Sequence, residues 1–341
     1  MFFIRNACIE DLGELYELSH LEMLLNLPRD RKRLEAIIEN SLASFKKPNP
    51  QRFKNHYLFV LKDFKKSKIV GSCLIHGQHG TDQNPHFFFR ISQEKKYSSI
   101  IKKEFTHDFL EIDYEPNGYS EIGALILHPD YRGRKERLGK QLSFARFLYM
   151  AINPSFFTET IHAELLPPVS EGGTPPLWKA IGEKFTGMSY DEANRLSFTD
   201  KEFILNLFPW GDKIYTALLP KEALEAIGQV GPNTKPVKAM LEKIGFHDTK
   251  EFDPFDGGPH YRCRRYDILP IKKSRLIRMR YLDDNDMEKA IPYLIELKKN
   301  AYAFCCTVMM GLLDKDTLFI SQSMANQYDI EEGVEVFCTP M

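Results

Sequence analysis

The sequence predicts an α+β fold, and three observations carry that prediction. Strand-like and helix-like segments run as a strand, two helices, three strands, and then strand, helix, strand, helix. The stretch at 127–143, LHPDYRGRKERLGKQLS, sets a basic glycine-containing turn between an apolar strand and an apolar helix. Near the C-terminus, Leu318 and Ile320, then Val334, Val336 and Cys338, fall at alternate positions on either side of the turn-like Glu331-Glu332-Gly333, which predicts short strands.

In chain order, residues 2–5 read as the first strand. Asp11 is placed to cap a helix whose apolar positions are Leu12, Leu15 and Leu18. A second helix is predicted over 30–45. HYLFVLK at 56–62 and KIVGSCLI at 68–75 read as paired strands around a lysine-rich turn, and 86–91 as an aromatic strand. In 121–127, Ile122, Ala124 and Ile126 alternate with Gly123, Leu125 and Leu127, so both faces are apolar and the strand is expected to be buried on both sides. Leu138, Leu142, Ala145 and Tyr149 fall at helical spacing over 138–152, with Phe144, Phe147, Leu148 and Ile152 filling the rest of the circumference. A strand follows at 160–166, a helix from Pro176 to Phe185, and another helix over 235–244.

Composition bounds the function. A chain of 341 residues suggests about two domains at ~150 residues each. Hydrophobic residues at 43% and charged residues at 27% are ordinary globular proportions. A net charge of −1 argues against a nucleic-acid coat, so any basic site is local. Cysteines 8, 73, 263, 305, 306 and 338 show no C-x-x-C and no zinc spacing with histidine, and read as buried thiols in a reducing compartment. The N-terminus MFFIRNACIEDL carries charge by Arg5 and reads as no secretory signal, and the longest apolar run, Ala303–Leu313, is too short for a membrane span. A cytoplasmic protein without membrane or nucleic-acid partners is expected.

The basic turn asks for a negative guest, because the first amides of a helix point forward unpaired and the dipole favours an anion. It is not a Walker loop: five residues separate Gly133 from Gly139, and Gln141 follows Lys140 where Ser or Thr is required. The chain holds no G-x-G-x-x-G, which weakens a dinucleotide reading. A pyrophosphate held by amides and arginines, as in coenzyme A binding, is the precedent left, against a solvated basic turn.

With the element order, Pro129, Arg132, Gly133 and Gly139 resemble the coenzyme A loop of the GNAT superfamily of acyl-CoA-dependent N-acyltransferases, with a stretched spacing. A wider resemblance covers nearly the whole chain. YLFVLKD at 57–63, Phe89-Arg90, Ser120-Glu121, LILHPDYR at 125–132, GKQLSFARFL at 139–148 and AELLPPVSEGGTPPLW at 163–178 are similar to the bacterial arginine N-succinyltransferase family. IGQVGPNTKP at 227–236, EKIGF at 242–246, FDGGP at 255–259 and YLIELKKNAYAFCCTV at 293–308 continue the likeness in the same order. The resemblance implies a GNAT-type core, a mixed sheet flanked by helices, over 1–270 and an added β-rich subdomain over 271–341. Lys272, Lys273, Arg275, Arg278 and Arg280 would lie in the connection, their charge on a solvated face. It further implies succinyl-CoA as cosubstrate, no permanently bound cofactor, no metal, and a homo- or hetero-oligomer.

N-acylation needs a grip on the pyrophosphate, a polarised thioester carbonyl, a neutral amine and a proton for the departing thiolate. Arg132, Gly133, Arg134, Arg137, Gly139 and Lys140 are the candidates for the grip. An α-amine of pKa about 8 is mostly protonated at neutral pH, so a base is required. Glu121, which opens the strand before the loop, is the first candidate, against a strand-end glutamate making a structural hydrogen bond. Glu164 is the second; His162 shares its face and, as a lone histidine, reads as a satisfied core residue. The acid is unassigned, Tyr190 being one of many tyrosines. Arg90 is a candidate partner for a substrate carboxylate, with structural ion pairing as the alternative. Gln229, Asn233 and Thr234 are candidates for substrate contact, although Asn233 and Thr234 read more readily as a cap for the following helix. Two departures from the family bear on the acceptor: His20 to Asn26 replaces a Gly/Thr-rich segment, and Gly231 stands where the family tends to have His. Arginine is the expected acceptor. Another acyl donor or amine such as ornithine, or a silent acyl-CoA-binding module, are the alternatives.

Overall fold

The computed structural model describes residues 1–21, 27–168, 173–197 and 200–341. In chain order the first elements are β1 (Phe2–Asn6), α1 (Leu12–Ser19), α2 (Arg31–Lys46), β2 (His56–Asp63), β3 (Lys68–His76), β4 (His86–Ser98) and β5 (Lys103–Glu115). They are followed by β6 (Ser120–Leu127), α3 (Leu138–Ile152), β7 (Thr160–Glu164), α4 (Glu183–Thr186), α5 (Tyr190–Ser197), α6 (Glu202–Leu207), β8 (Ile214–Tyr215), α7 (Lys221–Ala226) and α8 (Lys235–Lys243). The remainder is β9 (His247–Phe252), β10 (Pro259–Arg264), α9 (Leu269–Lys272), β11 (Arg275–Leu282), β12 (Ile291–Glu296), β13 (Cys305–Asp314), β14 (Thr317–Ser321), α10 (Gln322–Tyr328) and β15 (Glu335–Pro340). The α+β class expected from the sequence is found.

The chain forms two compact units, each discontinuous: 1–78 with 120–161 and 264–341, and 79–119 with 162–263. These units do not follow the division at 270/271 read from the sequence. The physical reason is strand pairing: β13 hydrogen-bonds to β1, with Ile4 opposite Cys306 and Arg5 opposite Cys305.

In the first unit the strands run β12-β15-β11-β14-β13-β1-β2-β3-β6, and β12 also pairs β13. That last pairing closes β11–β15 into a ring of five strands around Ile277, Met279, Ile295, Met309, Leu318 and Val336. The β11–β14 pair is parallel and its neighbours antiparallel, so the sheet is mixed. Alternation along β2 sorts its two faces. Leu58 and Val60 join Leu15, Leu34 and Ile38 of the first two helices, while Tyr57 packs tilted and Phe59 edge-on against Tyr149 of α3. The basic run 272–280 is not a connection but largely strand β11, with Arg275, Arg278 and Arg280 exposed and Ile277 and Met279 buried.

In the second unit the order is β7-β10-β9-β4-β5-β8, only the last three residues of β7 belonging to it. Its core stacks Trp178 on Phe255 at 4.9 Å with Phe89, Leu110, Ile204 and Phe208 around them. β4 and β5 form a long hairpin in register from His86 opposite Glu115 to Ser98 opposite Lys103. The sequence indicates only 86–91 of it: beyond Ile91 β4 is polar and largely exposed, as is β5 up to Asp108, whereas Phe109, Leu110 and Ile112 of β5 are buried and went unread. Among the described residues, no helix is long and apolar enough to cross a membrane.

Candidate active site

In the first unit the site begins where β6 is pinned. Ser120 donates through Oγ to Gly77 O at 2.6 Å and through N to Thr158 Oγ1 at 2.7 Å. Glu121 follows, buried, its backbone opposite His76 of β3. The strand then bulges: Leu74 faces Gly123, yet Ser72 faces Ile126, so β6 spends three steps where β3 spends two. Ala124 takes up the extra residue at φ +47°, a left-handed conformation that costs a non-glycine residue about 1–2 kcal/mol. Bulges of this kind leave a residue out of the ladder and recur beside active sites. Ile122, Ala124 and Ile126 are buried while Gly123, Leu125 and Leu127 are half-buried, so one face of the strand is less covered than the sequence suggests.

Arg146 lies beneath the bulge, 2% exposed. Its NH1 reaches Gly123 O at 3.4 Å and its NH2 donates to Ser143 Oγ at 2.8 Å. Burial pulls its pKa below the ordinary arginine value. This side chain ties α3 to the strand at the point of distortion, a role that sequence reasoning missed because the arginine is one apolar-face position among many.

After β6 a single turn at Pro129–Tyr131 leads into the basic loop. Arg132 donates from Nε to Leu127 O at 2.9 Å; Arg134 does so to Asp130 O at 3.3 Å and stacks its guanidinium 4.3 Å above Tyr131. Gly133 adopts φ +69° and Arg137, the residue before α3, adopts φ +54°. The Arg137 carbonyl accepts from Lys140 N and Gln141 N, and Lys140 Nζ lies over the Phe144 ring. Gly139 has only Leu127 Cδ2, at 3.9 Å, near the position a Cβ would take. The six loop residues thus lie at the start of a long helix, where the Arg137 carbonyl takes two of its first amides.

In the second unit, Glu164 ends β7 with its side chain 23% exposed. Its Oε1 lies 3.5 Å from His162 Nε2, 3.6 Å from His86 Nδ1 and 3.8 Å from His79 Nδ1. His260 completes the cluster, its ring 4.9 Å from that of His162 and 5.0 Å from that of His86. His162 is therefore not the lone core histidine that the sequence suggests. Burial, then the neighbouring imidazoles, drives the pKa of His86 well below the usual value, and burial likewise lowers His260 to about 3. Both rings are neutral at pH 7. Sequence reasoning missed His86 and His260 because β4, β7 and β10 are far apart in the chain.

The loop after β9 brings two further carboxyls to this unit. Asp253 Oδ1 accepts from Phe255 N and Asp256 N, and Asp256 Oδ1 from Gly258 N. Burial, with the charge of Glu164 second, raises Asp253 to about 7; burial, with Asp253 second, pushes Asp256 well above the carboxylate range. Both folded-state values exceed the unfolded ones, so the protonated groups favour the fold. That contribution is whole below about pH 4 and is lost as pH rises through the folded values. We expect urea midpoints of the native chain to fall between about pH 4 and 7 relative to Asp253→Asn. Parallel curves for the two proteins would refute it.

Arg90 is held by the protein itself: NH1 to Asp113 at 2.7 Å, NH2 to Glu251 at 2.8 Å, with the guanidinium 4.6 Å over Phe88. Glu251 also pairs with Arg262, whose Nε donates to His162 Nδ1 at 3.3 Å. The geometry matches the ion-pairing alternative. Thr234 occupies the position before α8, but its side chain makes no capping hydrogen bond, contrary to the reading from sequence. Instead the turn closes through backbone, Thr234 N and Lys235 N both donating to Gly231 O. Gln229 and Asn233 are exposed beside it. Gly231 N donates to Leu166 O, and a Cβ at Gly231 would stand 2.9 Å from Pro167 O, so this segment is pressed against the end of β7. Asp11 likewise does not cap α1; it takes both ends of Arg5 at 2.6 and 2.7 Å. Tyr190 is a buried core residue packed near Trp178, its phenol pushed up by burial. Cys8 is half-buried, and the other five thiols are buried. Of the unusual segment 20–26, residues 22–26 lie outside the described residues.

Known proteins share this architecture. A family model described as arginine N-succinyltransferase beta subunit matches residues 2–269. An arginine N-succinyltransferase of Shigella dysenteriae is 33% identical over 282 residues, 82% of this chain and 80% of that protein. One from an Enterobacter species is 35% identical over 255 residues, 74% of this chain and 73% of that one. The solved structure of arginine/ornithine succinyltransferase subunit AI from Pseudomonas aeruginosa superimposes with a TM-score of 0.83 and 26% identity, over 100% of this chain and 98% of that one. The chain belongs to the arginine N-succinyltransferase family and is an acyl-CoA-dependent N-acyltransferase.

Proposed function

We propose that the chain transfers the succinyl group of succinyl-CoA to the α-amine of arginine, releasing free coenzyme A, as a step of arginine breakdown. The observation that carries this reading is the match to arginine N-succinyltransferases by sequence over most of the chain and by fold over all of it. Arg132, Gly133, Arg134, Arg137, Gly139 and Lys140 would hold the coenzyme at the start of α3, where helix amides and cations meet a pyrophosphate. The bulge at Ala124 offers backbone outside the ladder to the thioester carbonyl, whose developing charge a fixed N–H stabilises. Glu121 removes a proton from the ammonium form of the acceptor, directly or through one water. The freed amine attacks the carbonyl carbon, the C–S bond breaks, and the thiolate leaves to be protonated. Glu164, the second candidate base by sequence, has its carboxylate among His79, His86 and His162 instead. Gln229, Asn233, Thr234 and Arg90 remain candidates for acceptor contacts, Arg90 only by exchanging an internal carboxylate for the substrate's.

Two observations favour a second acceptor. Gly231 stands where the family tends to have His, and the Pseudomonas relative is named for both arginine and ornithine. Ornithine is therefore the alternative. We further propose that 271–341, which contains the closed ring of strands, is a β-rich subdomain added to the GNAT-type core, and that the protein works in the cytoplasm without a permanently bound organic cofactor. The subunit names of the family model and of the Pseudomonas relative support an oligomer. Thiol release from succinyl-CoA compared with acetyl-CoA, each with arginine, tests the donor; faster release from acetyl-CoA would overturn it.

A further inference from the structure

We infer that His86, His162, His260 and Glu164 bind one divalent transition-metal ion of the zinc class, a structural site that ties together β4, β7 and β10 of the second unit. Each of the four offers a donor atom, and these atoms all lie within 4.8 Å of one another. The three imidazole rings form a near-equilateral triangle, with centroids 4.8, 4.9 and 5.0 Å apart. The three histidines are at most 2% exposed, while Glu164 is partly open and gives a path for entry.

Buried polar atoms are normally hydrogen-bonded, and a buried ring nitrogen without a partner needs an explanation. His260 has neither ring nitrogen hydrogen-bonded, and His86 Nε2 is in the same condition. Such atoms are costly in an empty interior and useful beside a cation. Three imidazoles and one carboxylate are a donor set that suits zinc, cobalt or nickel, and four protein donors around one point make a closed, structural site. Tetrahedral coordination at about 2.0–2.1 Å requires the donors to draw inward, which rotamer adjustments of the side chains can supply.

His162 is the ligand that has to change most. It accepts from Arg262 at Nδ1, so in its neutral form the proton sits on Nε2, facing Glu164. Metal capture at Nε2 shifts that proton to Nδ1 and releases the bond from Arg262, which keeps its ion pair with Glu251. His86 and His260 have no such bond to give up. Loss of either is expected to weaken binding more than loss of His162.

The test uses the full chain stripped with a chelator. Titration with Co²⁺ should develop the visible bands of four-coordinate cobalt, saturating near about one equivalent, and Zn²⁺ should displace it with the same stoichiometry. Zn²⁺ should also raise the thermal midpoint, as any ligand of the folded state does. His86→Ala with His260→Ala should abolish both effects, and His162→Gln, which removes one of the four ligands, should weaken binding by about tenfold or more, the least that loss of even an outer-shell partner costs. Native chain, folded by circular dichroism, that takes up neither ion would overturn the inference. So would cobalt bands that survive in a folded double variant.

Discussion

Glu121→Gln is expected to lower turnover by about 100-fold or more, the usual contribution of a positioned general base, while coenzyme A binding is retained. The substitution keeps size and hydrogen-bonding capacity in a buried position, so the pinned start of β6 should survive. The base hypothesis adds a signature that a structural role lacks. In the native enzyme the rate rises with pH as the base ionises, whereas in the variant the acceptor's own ionisation near about pH 8 should govern the profile. A Glu121→Gln protein with native turnover and an unchanged profile would leave Glu121 a structural role only.

Gly258→Ala should cost about 3 kcal/mol of stability, the upper range for overpacking. A Cβ at Gly258 would stand 2.4 Å from Leu165 O, 3.0 Å from Asp256 Oδ1 and 3.2 Å from Pro167 Cδ. Two of these are attached to the segment after β7, so relief requires moving backbone next to Glu164. The same glycine's carbonyl accepts from Asp253 N at 2.9 Å, which resists the shift. Gly133→Ala is the matched control: its Cβ meets nothing within 4 Å, and only its left-handed φ of +69° opposes it, at about 1–2 kcal/mol. Urea unfolding of the two variants reads the difference. Equal losses would mean that the Gly258 contact relaxes freely.

Much of the first unit was legible because its signals are local. The helix 138–152 has the same bounds in sequence and structure, since a glycine-bearing basic turn starts it and uninterrupted helical spacing of apolar residues sustains it. Strands β2 and β3 are likewise bounded by a lysine-rich turn. Signals that depend on pairing were not legible. The bulge at Ala124 exists only relative to β3, and the ring of β11–β15 only through the β12–β13 contact. For the candidate site the split is similar. The loop residues sit together because they are neighbours in sequence. The histidine cluster draws on positions 86, 162 and 260, and no spacing within the chain announces it. Capping by Asp11 and Thr234 misled for a third reason: a residue type suited to a cap was claimed by Arg5 in one case and left unused in the other.

The most direct measurement is the rate of thiol release from succinyl-CoA with arginine, ornithine and lysine as separate acceptors, with the acylated product identified by mass spectrometry. Release with arginine above the other two, and a product acylated on the α-amine, is the expected result. Release with ornithine or lysine alone would contradict the acceptor and leave the acyl-transfer chemistry standing. No release with any acceptor, from folded protein that binds succinyl-CoA, would contradict the central claim.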